Sequence, residues 1–208
     1  MVRHGEVHNP AGVLYGRLPE FHLSERGRTM AELAAASLAG HDIRRVVASP
    51  LIRTRESAQP WLDRFAPTLA QEGLDIDERI IEPTNVFEGL NVRRAVRANP
   101  LLARHFRNPW KPSWGEPFAQ IATRMMAAIR DAHDSVDGGE VVLVSHQAPI
   151  WTAARFVQHK PLATDPRARR CALSSITTLA FRDGAFVEVS YEEPAAALLA
   201  GAVDEGAV

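Results

Sequence analysis

The sequence predicts an α/β protein, a three-layer αβα sandwich on a mostly parallel sheet, and three observations carry that reading. Val46-Val47-Ala48 and Val141-Val142-Leu143-Val144 are short β-branched runs without polar alternation, the pattern of parallel strands covered on both faces. Each passes through small or polar residues, Ser49-Pro50 and Ser145-His146, into a segment of helical character. Near the C-terminus, residues 175–181 and 185–191 flank Asp183-Gly184, a hairpin signal. Strands alternating with helices make the α/β sandwich the expected architecture.

Taken in order, the first predicted helix covers residues 24–39. Ser24 is its N-cap, and Met30, Leu33, Ala34 and Leu38 fall at helical spacing. A second helix is expected over 53–65 and a third over 117–133. In the third, Phe118, Ile121, Met125 and Ile129 form an apolar stripe, which core packing explains better than a cofactor site. From residue 194 the chain is rich in Ala and Gly, which predicts a frayed helix or tail to 208. With no internal repeat and no interdomain linker, residues 1–208 are expected to form a single domain.

Composition narrows the function classes. The formal net charge of -1 gives no reason to expect bulk binding to nucleic acid or to a membrane. Cys171 is the sole cysteine, which excludes an intrachain disulfide and a cysteine-based metal site. No apolar run approaches the roughly 20 residues needed to span a bilayer, and Arg3, His4 and Glu6 leave no signal-type hydrophobic region at the start. A cytoplasmic location is the expectation.

The chemistry-bearing residues occur in a fixed order. Arg3-His4-Gly5-Glu6 opens the chain, and Leu23-Ser24 and Gly27 lead into an alanine-rich helix. Ser49-Pro50 and Arg53 follow one strand, an acidic segment holds Glu82 and Glu88, and Ser145-His146 follows another strand. In this order, over nearly the whole length, the chain resembles the histidine phosphatase (phosphoglycerate mutase-like) superfamily. Gly115-Glu116 before the third helix also fits that pattern. The resemblance implies metal-independent phosphomonoester hydrolysis through a phosphohistidine at His4, with no cofactor and an anionic phosphorylated small molecule as substrate. It implies that Arg3, Arg53 and His146 bind the phosphate and that Glu82 is acid and then base, with Glu88 as the alternative. It also implies a helical lid insertion over about 89–116.

Physical chemistry supports those roles. Neutral imidazole attacks an anionic ester without charge repulsion and divides one hard step into two easier ones. Arginines disfavour the protonated imidazole, and their planar forks match phosphate oxygens. A carboxyl can protonate the leaving oxygen and later activate water.

Other residues admit two readings. Asn9, Glu88 and Gln147 are candidate pocket residues, as are Tyr15, Gly16 and Arg17. Gln147 stands where relatives commonly carry glycine. His4 and His8 are spaced as zinc ligands on a helix are, but Pro10 and Gly12 suit a loop and no third ligand follows. Arg93, Arg94, Arg97, Arg104, Arg107 and Lys111 make an acid-free basic stretch, either an anion-attracting lid, with Trp110 and Trp114, or a solvated helix face. The hairpin or an exposed sheet edge would offer a homodimer face. Only Met1 and Val2 precede Arg3, whereas a central strand should hold about five residues. The expectation is therefore a start upstream of Met1 or a severely shortened first strand. A phosphoglycerate mutase and a non-catalytic phosphate-binding protein are the alternatives to a phosphatase.

Overall fold

The computed structural model describes residues 1–69, 73–102, 115–163 and 169–204. In chain order these form β1 (Val2–Arg3), α1 (Glu25–Ser37), β2 (Ile43–Ala48), α2 (Ile52–Phe65), β3 (Asp75–Ile76) and a 3-10 turn (Glu78–Ile80). Then come α3 (Val92–Ala98), α4 (Phe118–Asp134), β4 (Glu140–Ser145), α5 (Gln147–Val157), β5 (Ile176–Arg182), β6 (Ala185–Glu192) and α6 (Ala196–Leu199).

The strands make one sheet in the order β3-β2-β4-β1-β5-β6. Pairing is parallel from β3 through β1, and β5 runs antiparallel to both β1 and β6. Successive side chains of a strand point to opposite faces, and both faces here are covered. Val46, Ala48, Val142 and Val144 pack with Ala34 and Ala35 of α1 and Ala58, Trp61 and Phe65 of α2. Val47 and Leu143 turn the other way, onto Ile121, Met125 and Ile129 of α4 and Ala153 of α5. This is the three-layer sandwich expected from strands without polar alternation.

Local chemistry sets the element ends. Ser24 Oγ accepts from the Gly27 amide at 3.0 Å and starts α1. Leu33 departs from expectation: it is 39% exposed, because Met30, Ala31, Ala34 and Ala35 form the inward face. The small alanines let α1 approach its neighbours closely, and Leu33 lies outside that stripe. At the hairpin Asp183 and Gly184 both take positive φ, 51° and 80°, as a type I′ turn requires.

The first strand is short, with two residues paired to Val144, Ser145 and Ile176. It is tied at its start as well: Thr177 N donates to Met1 O and the Met1 amino group donates to Thr177 O, both at 2.8 Å. Beyond Met1, Val141 and Val142 of β4 and Thr178–Ala180 of β5 line a cavity of about 470 Å³. It lies at the opposite end of β1 from His4.

The tail expected to fray is docked as far as residue 204. Leu198, Leu199 and Ala202 pack on Met30, Leu173 and Ala195, so apolar burial holds it down. Of the expected lid, α3 is seen with Arg93, Arg94 and Arg97 exposed. Arg104, Arg107, Trp110, Lys111 and Trp114 lie outside the described residues.

Candidate active site

The site forms where three adjacent strands end. His4 follows β1, Ser49 follows β2 and His146 follows β4, with Arg53 in the first turn of α2. Ligands of open parallel sheets gather at this carboxyl edge. His146 is the N-cap of α5, so that helix directs its positive end toward the same place.

His4 is 2% exposed. Its Nδ1 lies 2.7 Å from Gly5 O. A carbonyl only accepts, so Nδ1 carries the proton and Nε2 keeps its lone pair. Burial, followed by the charges of Arg53 and Arg3, holds the imidazole well below its ordinary range. The ring is therefore neutral at physiological pH.

Two buried arginines flank it. Arg53 donates from Nη2 to Gly16 O at 2.6 Å, and its Cζ stands 4.8 Å from the centre of the Tyr15 ring. Arg3 donates to Cys171 O and pairs with Asp204. His146, 5.3 Å from His4 between ring centres, lies 3.3 Å at Nδ1 from Arg53 Nη2 and 2.8 Å at Nε2 from Ser49 Oγ. A guanidinium only donates, so Nδ1 accepts and Nε2–H donates to Ser49. Both nitrogens of His146 are thus engaged within the protein, a feature the sequence did not disclose.

Glu82 is 6% exposed, with Oε2 3.8 Å from His146 Nδ1. Burial raises its carboxyl to about 7 against the pull of Arg53 and Arg169, while burial also keeps His146 neutral. With the imidazole neutral, the contact is not an ion pair. Arg17 Nε holds Glu82 O at 2.6 Å and fixes the backbone there.

Six buried side-chain polar atoms lack a partner among the described residues, and four of them are here: Arg3 Nε, Arg53 Nε, Arg53 Nη1 and Glu82 Oε2. Leaving a buried charged donor unpaired costs more than the roughly 1–3 kcal/mol of a neutral group. The three arginine donors, whose charges act on the neutral imidazole of His4, suit an anion with several acceptor oxygens, and the Glu82 carboxyl suits it when protonated.

The other candidates divide. Glu88 Oε1 accepts from the amides of Arg17 and Asn85 and so organises the loop. Asn9 closes its own loop through both amide atoms to Val13. Gln147 opens α5 and accepts from Arg169 at 3.3 Å. His8 is exposed whereas His4 is buried. Glu116 makes a bidentate pair with Arg124 at 2.9 Å.

Two supporting residues escaped the sequence reading. Ser57 Oγ accepts from Gly5 N at 3.1 Å and donates to Arg53 O at 2.7 Å, linking the His4 loop to α2. Its spacing of four from Arg53 was the available signal. Asp204 carried none, being one of two acids in an Ala/Gly tail.

The fold is a three-layer α/β sandwich with its candidate site at the carboxyl edge of a mostly parallel sheet. The model of the histidine phosphatase superfamily (branch 1) matches residues 1–194, and the chain belongs to that family. It is similar to the uncharacterized protein Rv0525 of Mycobacterium tuberculosis, 46% identical over 94% of this chain and 96% of the relative. A 2,3-bisphosphoglycerate-dependent phosphoglycerate mutase of Thermoplasma acidophilum is 35% identical over 75% of this chain and 74% of its own. Among solved structures, the mycobacterial glucosyl-3-phosphoglycerate phosphatase Rv2419c is 27% identical, with a TM-score of 0.69, covering 86% of this chain and 87% of that one. Among the described residues no helix is long and apolar enough to cross a membrane.

Proposed function

We propose that this protein is a metal-independent phosphomonoester hydrolase acting on an anionic phosphorylated small molecule. The observation that carries the reading is the group of unpaired buried atoms on Arg3, Arg53 and Glu82 in the same site as His4, whose Nδ1 is bonded to Gly5 O and whose Nε2 is free of a proton. Nε2 attacks phosphorus, the P–O ester bond breaks, and the Glu82 carboxyl gives its proton to the leaving oxygen. Glu82, now a carboxylate, takes a proton from water. The water oxygen bonds to phosphorus as the N–P bond breaks, which restores His4 and yields inorganic phosphate. Arg3 and Arg53 hold the phosphoryl oxygens throughout. A phosphoryl dianion beside His146 favours its imidazolium, which no longer accepts from Arg53 and so releases Nη2 to the phosphoryl group. The exposed Arg93, Arg94 and Arg97 of α3 suit attraction of an anionic substrate.

The test is phosphate release from an aryl phosphate in EDTA, comparing the parent with His4→Ala. Activity that persists in EDTA and disappears in His4→Ala is expected, with acid-labile label trapped on the parent. Activity abolished by EDTA, or surviving in His4→Ala, would refute the mechanism. The similarity to a phosphoglycerate mutase favours a second reading, and 3-phosphoglycerate separates the two. Free phosphate supports hydrolysis and 2-phosphoglycerate supports a mutase. Phosphate binding without any label on His4 would indicate a binding protein.

A further inference from the structure

We infer that Asp204, on the C-terminal tail, is a positioning residue that holds Arg3 so that the Nε/Nη2 edge of its guanidinium faces the phosphoryl group. The inference rests on the reading of the site given above.

A guanidinium has five N–H bonds in a fixed plane. Cys171 O takes one on Nη1 at 2.7 Å, Asp204 Oδ2 takes the other at 2.8 Å, and Asp204 Oδ1 takes one on Nη2. What is left is the Nε–H and one Nη2–H. These two are parallel and share one edge, the geometry of a bidentate phosphate clamp. Nε is buried and without a partner among the described residues. The carboxylate and a phosphate would thus occupy different edges of one cation and would not compete for the same donors.

The tail is built to deliver that carboxylate. Val203 N donates to Glu6 Oε1 at 2.8 Å, and Arg26 Nη1 donates to Gly201 O at 2.5 Å. Glu6 lies two residues past His4, so the tail is tied to the nucleophile's own loop. Arg3 is 1% exposed against 37% for Asp204, so the acid approaches from the rim and the arginine lies within. The family model matches residues 1–194, so Asp204 lies ten residues past the end of that match.

The experiment measures inhibition by inorganic phosphate together with kcat and KM for an aryl phosphate, in the parent, Asp204→Asn and Asp204→Glu. Asp204→Asn is expected to weaken phosphate binding and raise KM by about 10- to 100-fold. Asp204→Glu should recover part of the loss, and in an Arg3→Ala background Asp204→Asn should add nothing. Unchanged affinity in a folded Asp204→Asn overturns the inference, and tighter binding would make the tail a competitor instead. If Asp204→Asn does not fold, a chain ending at Val203 replaces it, and wild-type phosphate affinity there is equally fatal. A parent that neither binds nor releases phosphate refutes the proposed function instead, so the two failures are distinguishable.

Discussion

Replacing Glu82 by Gln separates two consequences of one buried carboxyl. The side chain keeps its shape but no longer gives or takes a proton. Burial raises Glu82 from 4.5 to about 7, so at pH 7 about half of it is protonated, against about 0.3% for an ordinary glutamate. An alkyl phosphate needs that proton on its leaving oxygen, and its turnover should fall about 10²- to 10⁴-fold in Glu82→Gln. A nitrophenyl phosphate leaves without one, so the first step survives while hydrolysis of the phosphohistidine slows. The expected trace is a burst of nitrophenol near one per chain, then slow turnover. Stability supplies the second readout. A carboxyl whose pKa rises on folding binds its proton more tightly in the native state, so between pH 4.5 and 7 it makes stability fall as pH rises. At pH 8 the cost in the parent is at most about 3 kcal/mol and is absent from the variant. Denaturant melts should therefore show Glu82→Gln gaining on the parent from pH 5 to pH 8. Steady nitrophenol release without a burst, joined to a pH-independent stability difference, would refute the assignment.

Ser57→Ala leaves Gly5 N buried without its acceptor and should cost about 1–3 kcal/mol in denaturant melts, with reduced phosphate release as the His4 loop loosens. Gly27→Ala places a Cβ 2.0 Å from Glu6 O. That clash should cost about 1–3 kcal/mol and lower activity, read by melting and by turnover. Trp61→Ala, at a position with 0% exposure, should cost about 3–5 kcal/mol while leaving KM unchanged in whatever fraction stays folded.

Much of the fold was legible because its signals are local. The run Val141–Val144 lacks alternation because its strand is covered on both faces, so the sequence alone implies two helical layers. Asp183-Gly184 encodes positive φ directly, and Ser24 announces a cap. Gly27 shows how the motif around the nucleophile works: its backbone approaches Glu6 so closely that no side chain fits. Leu33 lies outside the buried face because helical periodicity admits neighbouring stripes, and the close approach through Ala31 and Ala35 selects one of them.

The order of Arg3, His4, Arg53, Glu82 and His146 was enough to define the family and the expected chemistry, because these residue types carry charge and proton affinity wherever they stand. Glu82 and Glu88 were equivalent as letters. Folding made one a buried carboxyl beside His146 and the other an acceptor for two loop amides. Likewise Asp204 is an unremarkable tail acid in sequence and meets Arg3 across 201 positions only when the tail packs against Met30 and Leu173. Side-chain chemistry is a property of the residue, whereas burial, tautomer and donor direction belong to the neighbours. The sequence alone therefore determined which groups were available, and the tertiary structure decided which were desolvated and where their free edges point.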